Sequence, residues 1–307
     1  MNKFEDMPNE ILLDVFQYFD ARDLFQLFYQ LNTRFNNLLK SSQQLNLFFH
    51  MQIFADNQIN DHHLFPNFTH TLIVGRAILI DLNQFHNIHS LKLECPLKRV
   101  LSQLTSQNLP YLEHLSISHL GTTYRTLCST FHPFFLPIDT LTTADEWTSL
   151  PSLRTLRISR ITLVVYQAIL KACQHLHSLE LAMFSCDDST LNIESHSKLK
   201  RLVMDVGDMK WPWTDHVFDS YLSCVPNIEH LIVYRSMFSS KLTDSLLEYD
   251  WLASKLSVYL AFLQQFKFYF KIIQGQIYNE SNVLSQLEEK FLNFHCHKYH
   301  SRLIIYQ

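Results

Sequence analysis

Apolar residues along this chain follow two different spacings. In residues 7–39, MPNEILLDVFQYFDARDLFQLFYQLNTRFNNLL, they recur at helical intervals. Ile11, Val15 and Phe19 lie four apart, and Leu12 and Phe16 widen that stripe. Leu24, Leu27, Phe28 and Leu31 repeat the spacing, and Phe35, Leu38 and Leu39 give a third group. Pro8 suits a first helical turn, and Asp20 and Asn32 suit N-caps. The spacing predicts three short amphipathic helices with more apolar surface than so small a unit can enclose by itself. Either the rest of the chain or a partner has to cover the excess.

From about residue 70 the pattern changes to L-x-x-L-x-L. It is met by Ile88/Leu91/Leu93, Leu112/Leu115/Ile117, Leu153/Leu156/Ile158 and Leu176/Leu179/Leu181. It continues at Leu199/Leu202/Met204, Ile228/Leu231/Val233 and Leu263/Phe266/Phe268, with weaker units at Leu72/Val74 and Leu303/Ile305. The starts from 88 to 228 are separated by 24, 41, 23, 23 and 29 residues. Periods in the twenties are those of leucine-rich repeats, in which one strand per repeat buries its alternate residues against its neighbours. Intervening segments such as 163–173 and 213–224 carry helical spacing, as do 246–262 and 283–294, and 45–54 reads as a linking helix or strand. The interval from 112 to 153 is too long for one repeat, and Pro133 and Pro137 mark a loop within it.

The first stretch resembles an F-box. The residues that carry the likeness are Met7-Pro8, Glu10, Ile11-Leu12, Val15-Phe16, Tyr18-Phe19, Asp20, Asp23-Leu24, Leu27, Leu31 and Phe35. Met7 stands where Leu is usual and Phe35 where Trp is common. The resemblance implies docking to the Skp-family adaptor that links F-box proteins to a cullin ubiquitin ligase. Pro8, Ile11, Leu12, Phe16, Tyr18, Leu24, Leu27 and Leu31 are then the adaptor-binding candidates. Leu12 and Phe16, one turn apart, are expected to be the anchor. Residues 170–186 resemble the cysteine-bearing repeats of leucine-rich F-box proteins, which implies core-filling roles for Cys173 and Cys186. The expected architecture is α/β: an N-terminal three-helix F-box-like unit (1–50) followed by an irregular leucine-rich-repeat solenoid (51–307) with a helical C-terminal segment.

Composition narrows the function. Apolar residues make up 47% and charged residues 18% of the chain, so it holds enough apolar material for a folded core. The net charge of −4 gives no footprint for nucleic acid. The four glycines lie far apart, which removes phosphate loops and dinucleotide turns. The opening residues lack a signal core, and the late apolar run at 256–273 is too interrupted by charge to span a bilayer. Six cysteines without CxxC pairs suggest reduced thiols and a cytoplasmic or nuclear protein.

Candidate chemistry is sparse. His295-Cys296-His297 has zinc-ligand types but no second pair at finger spacing, so no metal is expected. Asp187-Asp188 and Glu288-Glu289 read as solvated carboxylates, and Trp211-Pro212-Trp213 as a packed loop or a partner-binding cluster. No cofactor and no catalytic residue is assigned. If the templates are strands, the residues beside the aliphatics form the opposite sheet face. There Arg157, Arg160, Met183, Val203, Ile232 and Tyr234 are the substrate-binding candidates, because apolar groups on a solvated face mark a contact site. By resemblance the chain is a non-catalytic substrate-recruiting subunit of a cullin-type ubiquitin ligase, its protein substrate unnamed. The alternative is a leucine-rich-repeat interaction scaffold not linked to degradation.

Overall fold

The computed structural model describes residues 4–41 apart from 17, 20 and 30, then 49–53, 69–75, 78–118, 149–185, 195–207, 221–238, 254–273, 280–295 and 300–306. The chain is α/β and divides into two compact units, Met1–Leu112 and Glu113–Gln307.

The first unit begins with three short helices, α1 (Asn9–Phe16), α2 (Ala21–Phe28) and α3 (Thr33–Ser41). The carbonyl of Pro8 accepts from the Leu12 N–H at 3.1 Å, so the proline stands at the mouth of α1 where its missing donor is not needed. Asn32 caps α3, its Oδ1 accepting from the Phe35 N–H at 2.9 Å. Asp20 lies outside the described residues. The helices close over Leu12, Phe16, Leu24, Phe35, Leu38 and Leu39. Phe28 is the hub of the surrounding rings, with centroids 4.9 Å from Phe16, 5.6 Å from Phe4, 5.6 Å from Phe35 and 5.8 Å from Phe19. Three strands complete the unit: β1 (Phe49–Ile53), β2 (Thr69–Val74) and β3 (Ser90–Glu94). They pair in parallel in chain order, Leu72 opposite Leu91 and Val74 opposite Leu93.

The second unit holds seven strands, again parallel and in chain order. They are β4 (His114–Ser118), β5 (Thr155–Thr162), β6 (Ser178–Ser185), β7 (Arg201–Gly207), β8 (His230–Phe238), β9 (Gln265–Ile273) and β10 (His300–Tyr306). A parallel partner one rung away requires a crossover, and one such crossover carries the helix α4 (Leu163–Ala172). Residues 254–259 and Glu280–His295 are also helical. The last two aliphatics of each template fall on a strand and the first on the turn before it. Leu115, Leu156, Leu179, Leu202, Leu231 and Phe266 form one in-register buried row. Ile117, Ile158, Leu181, Met204, Val233 and Phe268 form the next.

The start of each strand is fixed by a repeated backbone corner. One carbonyl accepts two N–H groups from the following rung: Glu113 from Arg154 and Thr155, Arg154 from His177 and Ser178, His177 from Lys200 and Arg201, all between 2.8 and 3.0 Å. Lys200 and Glu229 continue the series. This arrangement satisfies donors that a turn would otherwise leave unpaired beside the core.

Candidate functional site

Leu12, Phe16 and Leu24 are fully buried, which corrects the expectation that Leu12 and Phe16 face a partner. The cause is size. A three-helix unit has room for few interior groups, and the i, i+4 pair of α1 is taken up in meeting Leu24 and Phe35. The adjoining side of the helices is left outside. Ile11 is 47% exposed, Leu27 53%, Leu31 55% and Tyr18 91%, and Met7 and Pro8 are exposed with them. Leu27 is in the last turn of α2, and Leu31, four residues on, lies in the turn after it.

A residue outside the apolar pattern holds this region together. Arg34 of α3 donates from Nε to Asn9 Oδ1 at 2.9 Å and from Nη2 to the same oxygen at 2.6 Å. It also donates to the carbonyls of Met7, at 2.5 Å, and Glu5. One guanidinium therefore ties the segment before α1 to α3, using the fork of donors that lysine lacks. Only its charge was visible in the sequence.

On the solvent-side row of the second unit's sheet, Ser116, Arg157, Glu180, Val203, Ile232, Lys267 and Arg302 stand in register. Arg157 is engaged by Glu180 at 3.0 Å. Val203 and Ile232 are only 4% and 8% exposed, which corrects their assignment as open contact residues. They are register partners on β7 and β8, and at one strand spacing two branched side chains shield each other. Tyr234 does remain exposed, its ring stacked on Tyr269 at 4.5 Å. Beside that stack Lys267 and Arg302 are neighbours of like charge. The side chains of Arg160 and Met183 lie outside the described residues, as do residues 122–147, Asp187-Asp188, Trp211-Pro212-Trp213, Cys186 and Cys296-His297. Glu288 and Glu289 are exposed on their helix.

The interior of the repeats holds a histidine that periodicity could not mark. In several rungs the N–H of the first template aliphatic donates to the carbonyl three residues earlier, as Leu153 does to Leu150 at 3.1 Å and Leu176 to Cys173 at 3.0 Å. In the Leu199 rung an imidazole takes that place. The Leu199 N–H donates to His196 Nδ1 at 3.1 Å. This makes Nε2 the protonated nitrogen, and it lies 3.0 Å from the Cys173 carbonyl. The His196 N–H donates to the Cys224 carbonyl at 2.6 Å. A single residue thus links the rung before it to the rung after it. Burial holds its pKa below the usual histidine value, and the charges of His177 and Lys198 act the same way, against opposing hydrogen bonds at Cys173 and at its own backbone.

Burial pushes the Cys173 thiol up to about 12 and Cys224 to about 11. Both stay protonated at neutral pH and serve as small apolar fillers rather than nucleophiles. Tyr166 is buried likewise, its hydroxyl donating to the Tyr221 carbonyl at 3.1 Å. Among the described residues no group of three or more His, Cys, Asp or Glu side chains could hold a metal ion, and no helix is long and apolar enough to cross a membrane. No protein-family model matches the chain, and no curated protein matches it in sequence.

Proposed function

We propose that this chain recruits a protein substrate to a cullin-type ubiquitin ligase, its opening helices acting as an F-box and its strands as leucine-rich repeats. The observation that carries the reading is the set of apolar side chains, Ile11, Leu27 and Leu31, left outside α1 and α2 at positions of the F-box-like pattern. The chain would do no bond chemistry. It would hold the Skp-family adaptor through those helices and a substrate through the sheet face around Tyr234, so that ubiquitin transfer becomes a matter of effective concentration.

Co-purification with a Skp-family adaptor and the cullin core tests it. Wild type retains the adaptor, and Ile11→Asp or Leu27→Asp loses it while staying folded. If wild type retains no adaptor, the reading fails. The burial of Leu12 and Phe16 favours a second reading, an interaction scaffold unconnected with degradation. An adaptor-bound chain that supports no ubiquitylation of a captured partner would select it.

A further inference from the structure

The corners that start β4, β5 and β6 enclose an open cleft of about 270 Å³, lined by Glu113, Pro151, Ser152, Arg154, His175 and His177. Its side chains come from equivalent places in successive rungs. Arg154 and His177 each occupy the double-acceptor corner, so their Cα atoms are held about 4.8 Å apart by the strand spacing. Ser152, His175 and Lys198 each stand two residues before such a corner, in three consecutive rungs.

The groups lining the cleft are mostly donors, and Lys198 stands beside it, bonded to the lining residue His175. Lys198 Nζ donates to His175 Nδ1 at 3.1 Å, which leaves the other nitrogen of that ring to carry a hydrogen. Arg154 offers a planar fork and Ser152 a hydroxyl. One rung further on, Lys200 is occupied by Glu229 at 2.7 Å. Among the described residues no ion pair engages Arg154 or Lys198. In a chain of net charge −4, two cations outside the ion pairs of the described residues, flanked by two imidazoles, form a local reversal of sign. Among the described residues of the wall the one acid is Glu113, on the first of these rungs.

We propose that this cleft binds a phosphomonoester. Three acceptor oxygens on one phosphorus match a planar guanidinium, an ammonium, a hydroxyl and imidazole N–H groups better than a flat carboxylate would, and the volume admits the phosphate with the first atoms of the group that carries it. Glu113 repels such a ligand, so the site is tuned below its full strength by its own wall. A site built instead for a cation would depend on Glu113 and be indifferent to Arg154. The site stands apart from the adaptor reading, since none of its residues lies on the opening helices.

Calorimetric titration of the full chain with inorganic phosphate, O-phosphoserine and a phosphoserine hexapeptide of otherwise neutral sequence tests this, with serine and the unphosphorylated hexapeptide as controls. Phosphate-dependent binding is expected, weakened about tenfold or more in Arg154→Gln and in Lys198→Gln and strengthened in Glu113→Gln. These residues are on the surface, so thermal unfolding of each variant should match wild type and separate lost binding from lost fold. Equal affinity for the three phosphate probes marks a small free ligand, and preference for the hexapeptide marks a phosphorylated polypeptide; both support the site. Absence of binding to every probe overturns the proposal, as does binding that Arg154→Gln and Lys198→Gln leave unchanged.

Discussion

The Nε2 of His196 lies 3.0 Å from the carbonyl oxygen of Cys173, with the opposite ring nitrogen accepting from Leu199. Accepting from Leu199 requires the neutral ring, whereas the Nε2–H donates to Cys173 in either state. Because the folded value lies below the ordinary 6.5, the unfolded chain takes up the proton first as the pH falls. The contribution is complete above 6.5, declines as pH falls through 6.5 toward the lower folded value, and levels off below that. Urea unfolding at pH 7.5 and 5.5 should show a loss in wild type that is smaller in His196→Ala. At pH 7.5 the substitution should cost about 1–3 kcal/mol, because it strands a buried N–H.

Burial divides the F-box-like positions into two classes with opposite behaviour. Phe16→Ala should cost about 3–5 kcal/mol and Leu12→Ala about 2–5 kcal/mol in folding stability. Ile11→Asp should cost far less, since its side chain is half exposed, yet abolish adaptor retention. Thermal unfolding alongside co-purification reads both effects from the same samples. A Leu12→Asp variant would confuse them.

Arg34 gathers donors onto Glu5, Met7 and Asn9. Arg34→Gln should free the segment before α1 without melting the helices. Hydrogen exchange should speed up at residues 4–9, with a stability loss of about 1–2 kcal/mol. Arg34→Lys should rescue little, because an ammonium cannot span the same acceptors.

Cys173 and Cys224 should resist alkylation in the native protein, being both buried and protonated. Cys95, at the end of β3 and only half buried, should react ahead of them. Brief iodoacetamide treatment followed by peptide mass mapping gives the order, and added urea should abolish the difference.

The strand positions were legible because an in-register parallel sheet demands the same alternation on every rung, and Leu156, Leu179 and Leu202 repeat it without interruption. Helix starts were legible where a side chain does the capping, as at Asn32. Burial within the opening helices was not. Ile11 and Leu12 are equally apolar, and only the packing of α1 against Phe35 decides which one turns inward. Val203 and Ile232 failed for a related reason: alternation assigns a face but not the shielding from a neighbouring rung. His196 and Arg34 are single polar residues that act through backbone carbonyls distant in sequence, and no periodic pattern marks such roles.

The pairing of Leu115 with Leu156 is of the same kind as that of Leu156 with Leu179, although the first step spans 41 residues and the second 23. Closing the longer connection adds no more than about 0.6 kcal/mol of chain entropy. Connector length and sheet geometry are thus nearly independent variables at that joint. Sequence can be gained or lost between β4 and β5 without re-indexing a single rung, which makes it the natural place for lineages to diverge and for an experimenter to insert a reporter.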